Sequence, residues 1–282
     1  MRSCYPLPNL YAAISPIWSI CAIFESITKK VLIFTLAIVT ALSFTGCGKK
    51  DDSSSEKSAK KLVVATEPTF PPFDTTNKDG ELDGFDMDLM KAIAKDQNLD
   101  IEFKSFEFDA LIPALKAGNA DIVAAGMNSN DGERKKQVDF SKTYCDAGLV
   151  VMVKKDSKIK SIKDFKSNMK VASQTGTSGG KLIEKLKKQG KIADAVSMKK
   201  FDACVLQLIN GDVEAVIIDK PVGEAYLAKK PGKTKIVGKT MNAEAYAFAV
   251  KKGNKDLLEK LNKGLEAIKK SGEFDKLKKK WF

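Results

Sequence analysis

A short polar segment that contains one arginine is the part of this chain best suited to hold an anion. The segment GMNSNDGERKK offers Gly126, Asn128 and Ser129 directly after an apolar run, with Arg134 shortly beyond. Backbone amides, small amide or hydroxyl side chains and a guanidinium together form an anion-binding site. A carboxylate or a phosphate is therefore the first chemistry that this sequence predicts.

The scarcity of arginine strengthens that expectation. The chain has 48 basic residues, yet only Arg2 and Arg134 are arginines. An arginine retained among so many lysines indicates a need for a planar, bidentate donor fork, which matches a carboxylate or a phosphate. Chance retention on a surface helix is the alternative, and composition alone does not choose between them.

Two further polar positions lie next to predicted strands. Asp219 ends the apolar run VEAVIID, where a lone carboxylate suits an ammonium group; its alternative role is to cap the following helix. The turn SQTGTSGG (173–180) opens a helix, a position that also attracts anions. It lacks the spacing and the lysine of a GxxxxGK[ST] loop, so nucleotide binding is not predicted. A site that binds a carboxylate and a site that binds an ammonium group, on different predicted lobes, together match a free α-amino acid.

The loop TEPTFPPF (66–73) leaves the first predicted strand with aromatic and proline residues. Pro71 and Pro72 stiffen a turn that could hold Phe70 against a flat ligand. Glu67, at the carboxyl end of that strand, is the polar residue expected to face a cleft. The alternative is a loop that only covers the core.

The elements that must position these residues alternate between strands and helices. The pattern predicts strands at 61–67, 101–106, 121–127, 148–155, 213–219 and 246–254, and a strand with its following loop at 170–177. It predicts helices at 84–98 (capped near Asp86), 109–119, 178–190 and 202–212, and two more at the C-terminus. Such alternation favours parallel sheets. Two successive blocks of alternating strands and helices, without a flexible linker between them, indicate two lobes that share a hinge. A ligand is expected between the lobes, at the carboxyl ends of strands.

Composition excludes several functional classes. After residues 1–47, which carry a net charge of +2, the rest of the chain carries +10 of the total +12. The lysines are interleaved with acids along the whole chain, so nucleic acid is not an expected partner. The chain has no histidine and no CxxC spacing, which argues against triad hydrolases and metal sites. Cys145 and Cys204 are interpreted as small buried apolar residues.

The N-terminal region predicts export. Lys29 and Lys30 precede the apolar run 31–44, which is too short to span a bilayer and ends in small residues before Cys47. The junction resembles the lipobox of bacterial lipoproteins, although Phe44 departs from its pattern. We therefore expect a signal peptide at 1–46, including an upstream extension at 1–28, and a lipid-anchored flexible linker at 47–60. An ordinary signal peptide with a chance cysteine is the alternative.

From 61 to 282 the chain resembles the family 3 extracellular solute-binding proteins, the receptors of polar amino-acid ABC importers. An ordered series of motifs carries the resemblance: LVVATEPTFPPF, GFDMDLMKAIA, FDALIPALKAGNAD, AAGM followed by ERKKQVDFS, VASQTGT, EAVIIDKP and FDKLKKKWF. Each motif alone is weak, but the ordered series is specific.

The resemblance implies roles for the polar residues at both ends of a bound amino acid. Arg134 is similar to the arginine that grips the ligand α-carboxylate, and Asp219 is similar to the carboxylate that pairs with the α-amino group. Residues expected to assist Arg134 are Gly126, Asn128 or Ser129, Thr177 and Ser178. The spacing from Gly126 to Arg134 is one residue longer than in the commonest pattern, so Asn128 and Ser129 are interchangeable candidates.

The resemblance also implies residues that read the ligand side chain. Phe70 and Phe108 resemble the aromatic pair that sandwiches it, and Gln174 is at a position that contacts its tip. Glu67 stands where many members carry an aspartate. The phenylalanine pair and Gln174 slightly favour glutamine as ligand, whereas Glu67 leaves arginine and lysine open.

The expected fold is therefore α/β, of the two-lobe periplasmic-binding-protein-like type II, with a two-crossing hinge. Lobe 1 is expected at 61–145 and 246–282, and lobe 2 at 146–245. The expected function is that of a non-enzymatic, membrane-tethered receptor without cofactor or metal, facing the extracytoplasmic side, that delivers a polar amino acid to an ABC permease and its ATPase. One alternative is an enzyme on the same scaffold, similar to periplasmic cyclohexadienyl dehydratases, with Glu67 as its acid or base. Another is a sensor that acts through a separate membrane receptor.

Overall fold

The computed structural model describes residues 61–282. The predicted signal peptide, the lipid-attachment residue Cys47 and the linker 47–60 lie outside the described residues. Within residues 61–282, none of the helices combines the length and the apolar character needed to cross a membrane.

The described residues form strands and helices in alternation. The strands are β1 (Leu62–Thr66), β2 (Thr75–Thr76), β3 (Leu82–Asp83), β4 (Ile101–Ser105), β5 (Ile122–Val123), β6 (Val138–Phe140), β7 (Cys145–Ala147), β8 (Leu149–Lys154), β9 (Lys170–Gln174), β10 (Asp194–Met198), β11 (Ala215–Asp219), β12 (Thr234–Val237), β13 (Glu244–Tyr246) and β14 (Ala249–Lys251). The helices are α1 (Phe85–Asp96), α2 (Leu111–Ala117), α3 (Gly132–Gln137), α4 (Ser178–Lys188), α5 (Phe201–Asn210), α6 (Lys220–Lys229), α7 (Lys255–Lys270) and α8 (Glu273–Trp281). Short 3₁₀ turns occupy Phe108–Ala110 and Ile162–Asp164.

Two five-stranded sheets define two lobes. The sheet of lobe 1 has the order β4-β1-β5-β14-β6, and the sheet of lobe 2 has the order β10-β9-β11-β8-β12. Both are mixed rather than fully parallel, which corrects the expectation from the sequence. β14 is antiparallel to β5 and β6, and β8 is antiparallel to β11 and β12. Each of these strands follows a crossing between the sheets, so it enters its sheet without the helical crossover that makes neighbours parallel.

A two-stranded ribbon joins the two sheets. β7 and β13 pair antiparallel, with Cys145 opposite Tyr246 and Ala147 opposite Glu244. The chain therefore leaves lobe 1 and returns to it at neighbouring points. This is the two-crossing hinge of the expected fold class.

Buried apolar side chains form the cores on which the helices pack. One cluster includes Val64 and Phe73 in lobe 1 as well as Val216 and Ile218 in lobe 2, and it runs past Tyr246 of the hinge. Two smaller clusters lie under α2 and under α4. The cores thus support the strand ends that face the space between the lobes.

The start of α1 differs from the sequence-based expectation. Its N-cap is Gly84, two residues before Asp86, near which the cap was expected, and no side chain caps the helix. Asp86 is fully buried instead, and its Oδ2 accepts from Gly126 N at 2.8 Å and from the Tyr144 hydroxyl at 2.7 Å. The carboxylate thus ties α1 to the loop that follows β5.

Candidate ligand-binding site

Arg134 lies between the lobes with only 4% of its surface exposed. It belongs to α3, whose N-cap Asp131 accepts from the backbone amides of Glu133 and Arg134. One terminal nitrogen of the guanidinium donates to the Asn128 carbonyl at 3.2 Å, and the other donates to the Gly176 carbonyl of lobe 2 at 2.9 Å. A guanidinium has five N–H donors, so donors remain for a ligand carboxylate.

The aromatic face of Phe108 supports this guanidinium. The guanidinium carbon of Arg134 is 5.3 Å from the centroid of the Phe108 ring, a cation–π distance. Burial lowers the pKa of Arg134, whereas the carboxylates of Asp131, Glu244 and Asp219 oppose that shift. An arginine keeps its proton under these conditions, so the site carries a fixed positive charge.

Asp219 lies at the carboxyl end of β11 in lobe 2 and is 5% exposed. It occupies the N-cap position of α6, but its side chain makes no cap hydrogen bond, and Oδ1 has no hydrogen-bond partner among the described residues. Burial, followed by repulsion from Glu244, raises the pKa of Asp219 well above its usual range. The Asp219 side chain therefore does not cap α6.

The structure distinguishes Asn128 from Ser129. The Asn128 side-chain amide donates to Oγ of Ser178, in lobe 2, at 3.3 Å. The Ser129 hydroxyl donates to the Ala245 carbonyl of the hinge at 2.8 Å. Asn128 therefore lies on the side that faces lobe 2, and Ser129 is engaged by the hinge.

Gly126 and Thr177 lie at the site, but their polar groups are already engaged. The Gly126 amide donates to Asp86, and a Cβ at Gly126 would lie 2.4 Å from Cε1 of Phe70. The Thr177 hydroxyl caps α4 by accepting from Gly180 N, and it donates to the Gln174 carbonyl. Both residues thus shape the walls of the space between the lobes, and their hydrogen-bond donors are used by protein groups.

Glu67 and Gln174 contact each other across the lobes. Glu67 is 2% exposed, and Gln174 Nε2 donates to its Oε2 at 2.8 Å. The Thr69 hydroxyl donates to both oxygens of the same carboxylate. Burial raises the pKa of Glu67, although these hydrogen bonds lower it. The neighbouring carboxylate of Glu107 also raises this pKa.

Phe70 and Phe108 are not brought face to face. The Phe70 ring packs against Phe73, Phe201 and Tyr246, with centroids 5.7–5.9 Å apart. Phe108 belongs to a different apolar cluster under α2 and covers Arg134. Each ring lines the region between the lobes from its own side.

A cavity of about 240 Å³ opens beside Arg134 and is lined from both lobes. The lining includes Phe108, Met127 and Arg134 from lobe 1 and Gly176 and Lys181 from lobe 2. The described residues hold no group of three or more His, Cys, Asp or Glu side chains suited to a metal ion.

Sequence reasoning missed several residues that build this region. They are Thr69, Asp131, Tyr226, Glu244 and Tyr246. Glu244 and Tyr246 flank one alanine in β13, and this strand was expected only from residue 246 onward. A charged residue directly before the apolar run AYAFAV was the signal available for Glu244.

Comparison with known protein families identifies the family of this chain. Residues 62–282 match the model of the bacterial extracellular solute-binding proteins, family 3. The chain belongs to this family. The predicted family and the two-lobe type II fold are therefore confirmed, and like its named relatives the protein is a binding protein rather than an enzyme. It functions on the extracytoplasmic side, where the family operates.

Individual relatives span nearly the same length. A "Probable histidine-binding protein" of Neisseria gonorrhoeae is 35% identical over 86% of this chain and 92% of its own. The "Arginine-binding extracellular protein ArtP" of Bacillus subtilis is 35% identical over 90% and 98%. A solved structure of an ancestral arginine-binding protein bound to arginine is 45% identical, with a TM-score of 0.75 over 79% of this chain and 98% of that one. A second solved structure, of an ancestral arginine-binding protein bound to glutamine, is also 45% identical, with a TM-score of 0.74 over 79% of this chain and 97% of that one.

Proposed function

We propose that this protein is the receptor of an ABC importer and binds an amino acid with a cationic side chain between its lobes. The observation that carries the proposal is the placement of Arg134 and Asp219. They belong to opposite lobes, each is at most 5% exposed, and their charges act on one another. The α-carboxylate of the ligand binds the guanidinium, and its α-ammonium binds the Asp219 carboxylate.

Charge between the lobes supports a basic side chain. The buried carboxyl groups of Asp219 and Glu244 act on the one buried guanidinium, and a third buried carboxyl group, that of Glu67, contacts Gln174 across the lobes. A zwitterionic ligand adds no net charge, whereas arginine or lysine adds one positive charge. A carboxylate offers about four lone-pair sites, so Glu67 can accept a ligand cation beside Thr69 and Gln174. The sequence slightly favours glutamine, but this excess of carboxyl groups gives the basic amino acids priority.

Closure follows from the division of the site between lobes. We assign residues 61–145 and 246–282 to lobe 1 and residues 146–245 to lobe 2, in agreement with the strands of each sheet. A ligand held by Arg134 and Asp219 contacts both lobes only when they are close. It therefore shifts the population toward the closed form, which a permease can recognise.

A ligand screen tests the proposal directly. We expect L-arginine and L-lysine to raise the melting temperature more than the other common amino acids, since a ligand at 100 times its Kd stabilises by about 2.7 kcal/mol. L-citrulline matches arginine in shape without the charge, and agmatine lacks the α-carboxylate. Both should bind at least tenfold more weakly than L-arginine in calorimetry.

The results separate two claims. Equal binding of citrulline, glutamine and arginine would contradict the cationic side chain but keep the receptor. Absence of binding for all common amino acids would contradict the receptor itself.

We also propose that Cys47 carries a lipid anchor, on the strength of the lipobox-like junction after Gly46. Cys47→Ser is expected to release the protein into the medium or to block its maturation. Cys145→Ser is the matched control, because it removes a thiol from the folded part of the chain, in the ribbon that joins the lobes. Equal membrane retention of Cys47→Ser and wild type would contradict the anchor.

A further inference from the structure

Beside the clamp residues, a second set of contacts joins the lobes through hydrogen bonds between protein groups. Its centre is Thr69, which follows β1 in lobe 1 and is 8% exposed. The Thr69 hydroxyl donates to Glu67 and accepts from Phe201 N, at the start of α5 in lobe 2, at 3.1 Å. The Thr69 carbonyl accepts from the hydroxyl of Tyr226, on α6 of lobe 2, at 2.8 Å.

Gln174 extends this set from β9. Its Nε2 donates both to Glu67 Oε2 at 2.8 Å and to the Lys199 carbonyl at 2.9 Å. Three elements of lobe 2, the end of β9, the start of α5 and α6, thus converge on one short loop of lobe 1. We name Glu67, Thr69, Gln174 and Tyr226 together the interlobe clasp.

We propose that the interlobe clasp biases the ligand-free protein toward closure, with Thr69 and Tyr226 as positioning residues that set the rate of ligand release. The proposal deepens the proposed function, on which it rests. The hydroxyls of Thr69 and Tyr226 are both satisfied within the clasp, so the clasp needs no ligand atom to form. Opening exposes these groups and leaves the Phe201 amide without its acceptor.

Burial explains why such a clasp is effective. Its four side chains are at most 8% exposed, so their hydrogen bonds are shielded from water. The exposed interlobe ion pairs, Lys181–Asp131 and Lys199–Asp109, have lysines that are more than half exposed and are screened by salt. The bias toward closure should therefore persist at high salt.

The clasp also links closure to the side-chain end of the site. Thr69 and Gln174 hold the Glu67 carboxylate in one position, and Phe70, the next residue after Thr69, packs on Phe201 of lobe 2. Glu67 thus has two functions, as a bridge between lobes and as the acceptor for a ligand cation. Variants of Thr69 and Tyr226 should therefore weaken the binding of every ligand, whereas variants of Glu67 should also change the preference among ligands.

The test uses two substitutions from opposite lobes. Thr69→Val removes the hydroxyl at nearly constant shape, and Tyr226→Phe removes only the oxygen that donates to Thr69. We expect each to increase the radius of gyration of the ligand-free protein in small-angle scattering. We also expect each to accelerate dissociation of L-arginine about 2- to 10-fold, the range for one net hydrogen bond.

Controls separate a clasp from a structural role. Thr69→Ser keeps the hydroxyl and should restore wild-type scattering and dissociation. Thr76→Val makes the same chemical change at an exposed position of β2 and should change neither. The double variant Thr69→Val, Tyr226→Phe removes two separate hydrogen bonds between the lobes, to the Phe201 amide and to the Thr69 carbonyl, and should show a larger effect than either single variant.

The outcomes also separate this inference from the proposed function. If both single variants keep the wild-type radius of gyration and dissociation rate, the clasp is wrong even if L-arginine binds. If wild type binds no L-arginine, the cationic assignment fails, but the scattering of the ligand-free variants still decides whether the clasp exists. Should Thr69→Val not fold, Tyr226→Phe alone gives the decision.

Discussion

The guanidinium carbon of Arg134 lies 5.3 Å from the centroid of the Phe108 ring, so this arginine is held between an aromatic face and the space between the lobes. Its two terminal nitrogens donate to the Asn128 and Gly176 carbonyls, which belong to different lobes. The arginine therefore contributes to closure as well as to the proposed carboxylate clamp.

Arg134→Ala should weaken ligand binding strongly. Removing one member of a buried, hydrogen-bonded charge pair costs about 2–5 kcal/mol, or roughly 30- to several-thousand-fold in Kd. Arg134→Lys keeps the charge but loses the planar fork, and it should lose a large part of that affinity. Calorimetry measures both. Lys136→Ala, at an exposed position on the same helix, is the control, and a Kd for Arg134→Ala within threefold of wild type would contradict the site.

Ligand binding should release a proton through Asp219. Burial and Glu244 raise the pKa of this carboxyl in the ligand-free protein, and a ligand ammonium beside it favours the ionised form. Between the raised pKa and the lower pKa of the complex, affinity should therefore increase with pH. Calorimetric titrations in buffers of different ionisation enthalpy measure the number of protons released on ligand binding. Asp219→Asn should bind more weakly and show no release from this group; unchanged release would assign the proton elsewhere.

Gly126→Ala should destabilise the protein and weaken binding. Gly126 has φ +51, and its new Cβ would lie 2.4 Å from Phe70 Cε1, so both backbone strain and overpacking apply. We expect a loss of about 2 kcal/mol or more in chemical denaturation. Gly132→Ala, in the first turn of α3 with no atom within 4 Å of the new Cβ, should change stability by less than about 0.5 kcal/mol. Equal effects of the two substitutions would rule out the steric explanation.

The buried acids of lobe 1 should make the protein more stable at mildly acidic pH than at neutral pH. Burial raises the pKa of Asp86 to about 7, and burial together with Asp86 raises that of Asp74. The folded state then binds more protons than the unfolded state, so the free energy of unfolding falls as pH rises from about 4 to 7. Thermal unfolding across this range measures the slope. Asp86→Asn should flatten it, and an identical slope in this variant would show that other groups cause it.

Sequence patterns and the family resemblance predicted many of the elements and several residues that lie between the lobes, because strand ends and short polar loops leave local signals. Arg134, Asp219, Glu67 and Gln174 all lie between the lobes. The patterns could not show which polar groups are engaged by neighbours. The Gly126 amide donates to a residue 40 positions earlier, and Ser129 donates to one 116 positions later.

Strand length and strand direction could not be predicted from local patterns either. The run 121–127 was expected as one strand, but the strand is only Ile122–Val123, because the chain then turns at Gly126. Whether β8 and β14 run parallel or antiparallel depends on the path of the chain through the hinge, and no local periodicity encodes that path. Thr69 and Tyr226 were missed for the same reason, since 157 residues separate them.

The pairing of Ala147 with Glu244 in the ribbon gives lobe 2 the topology of an insertion, whose two ends lie side by side. All five strands of its sheet come from one continuous stretch, whereas β14 must return to sit between β5 and β6. Lobe 2 can therefore complete its sheet from residues of that one stretch, but lobe 1 stays unfinished until the chain beyond the ribbon arrives. Refolding should thus be sequential, with the slow step in the lobe that holds both ends of the described chain.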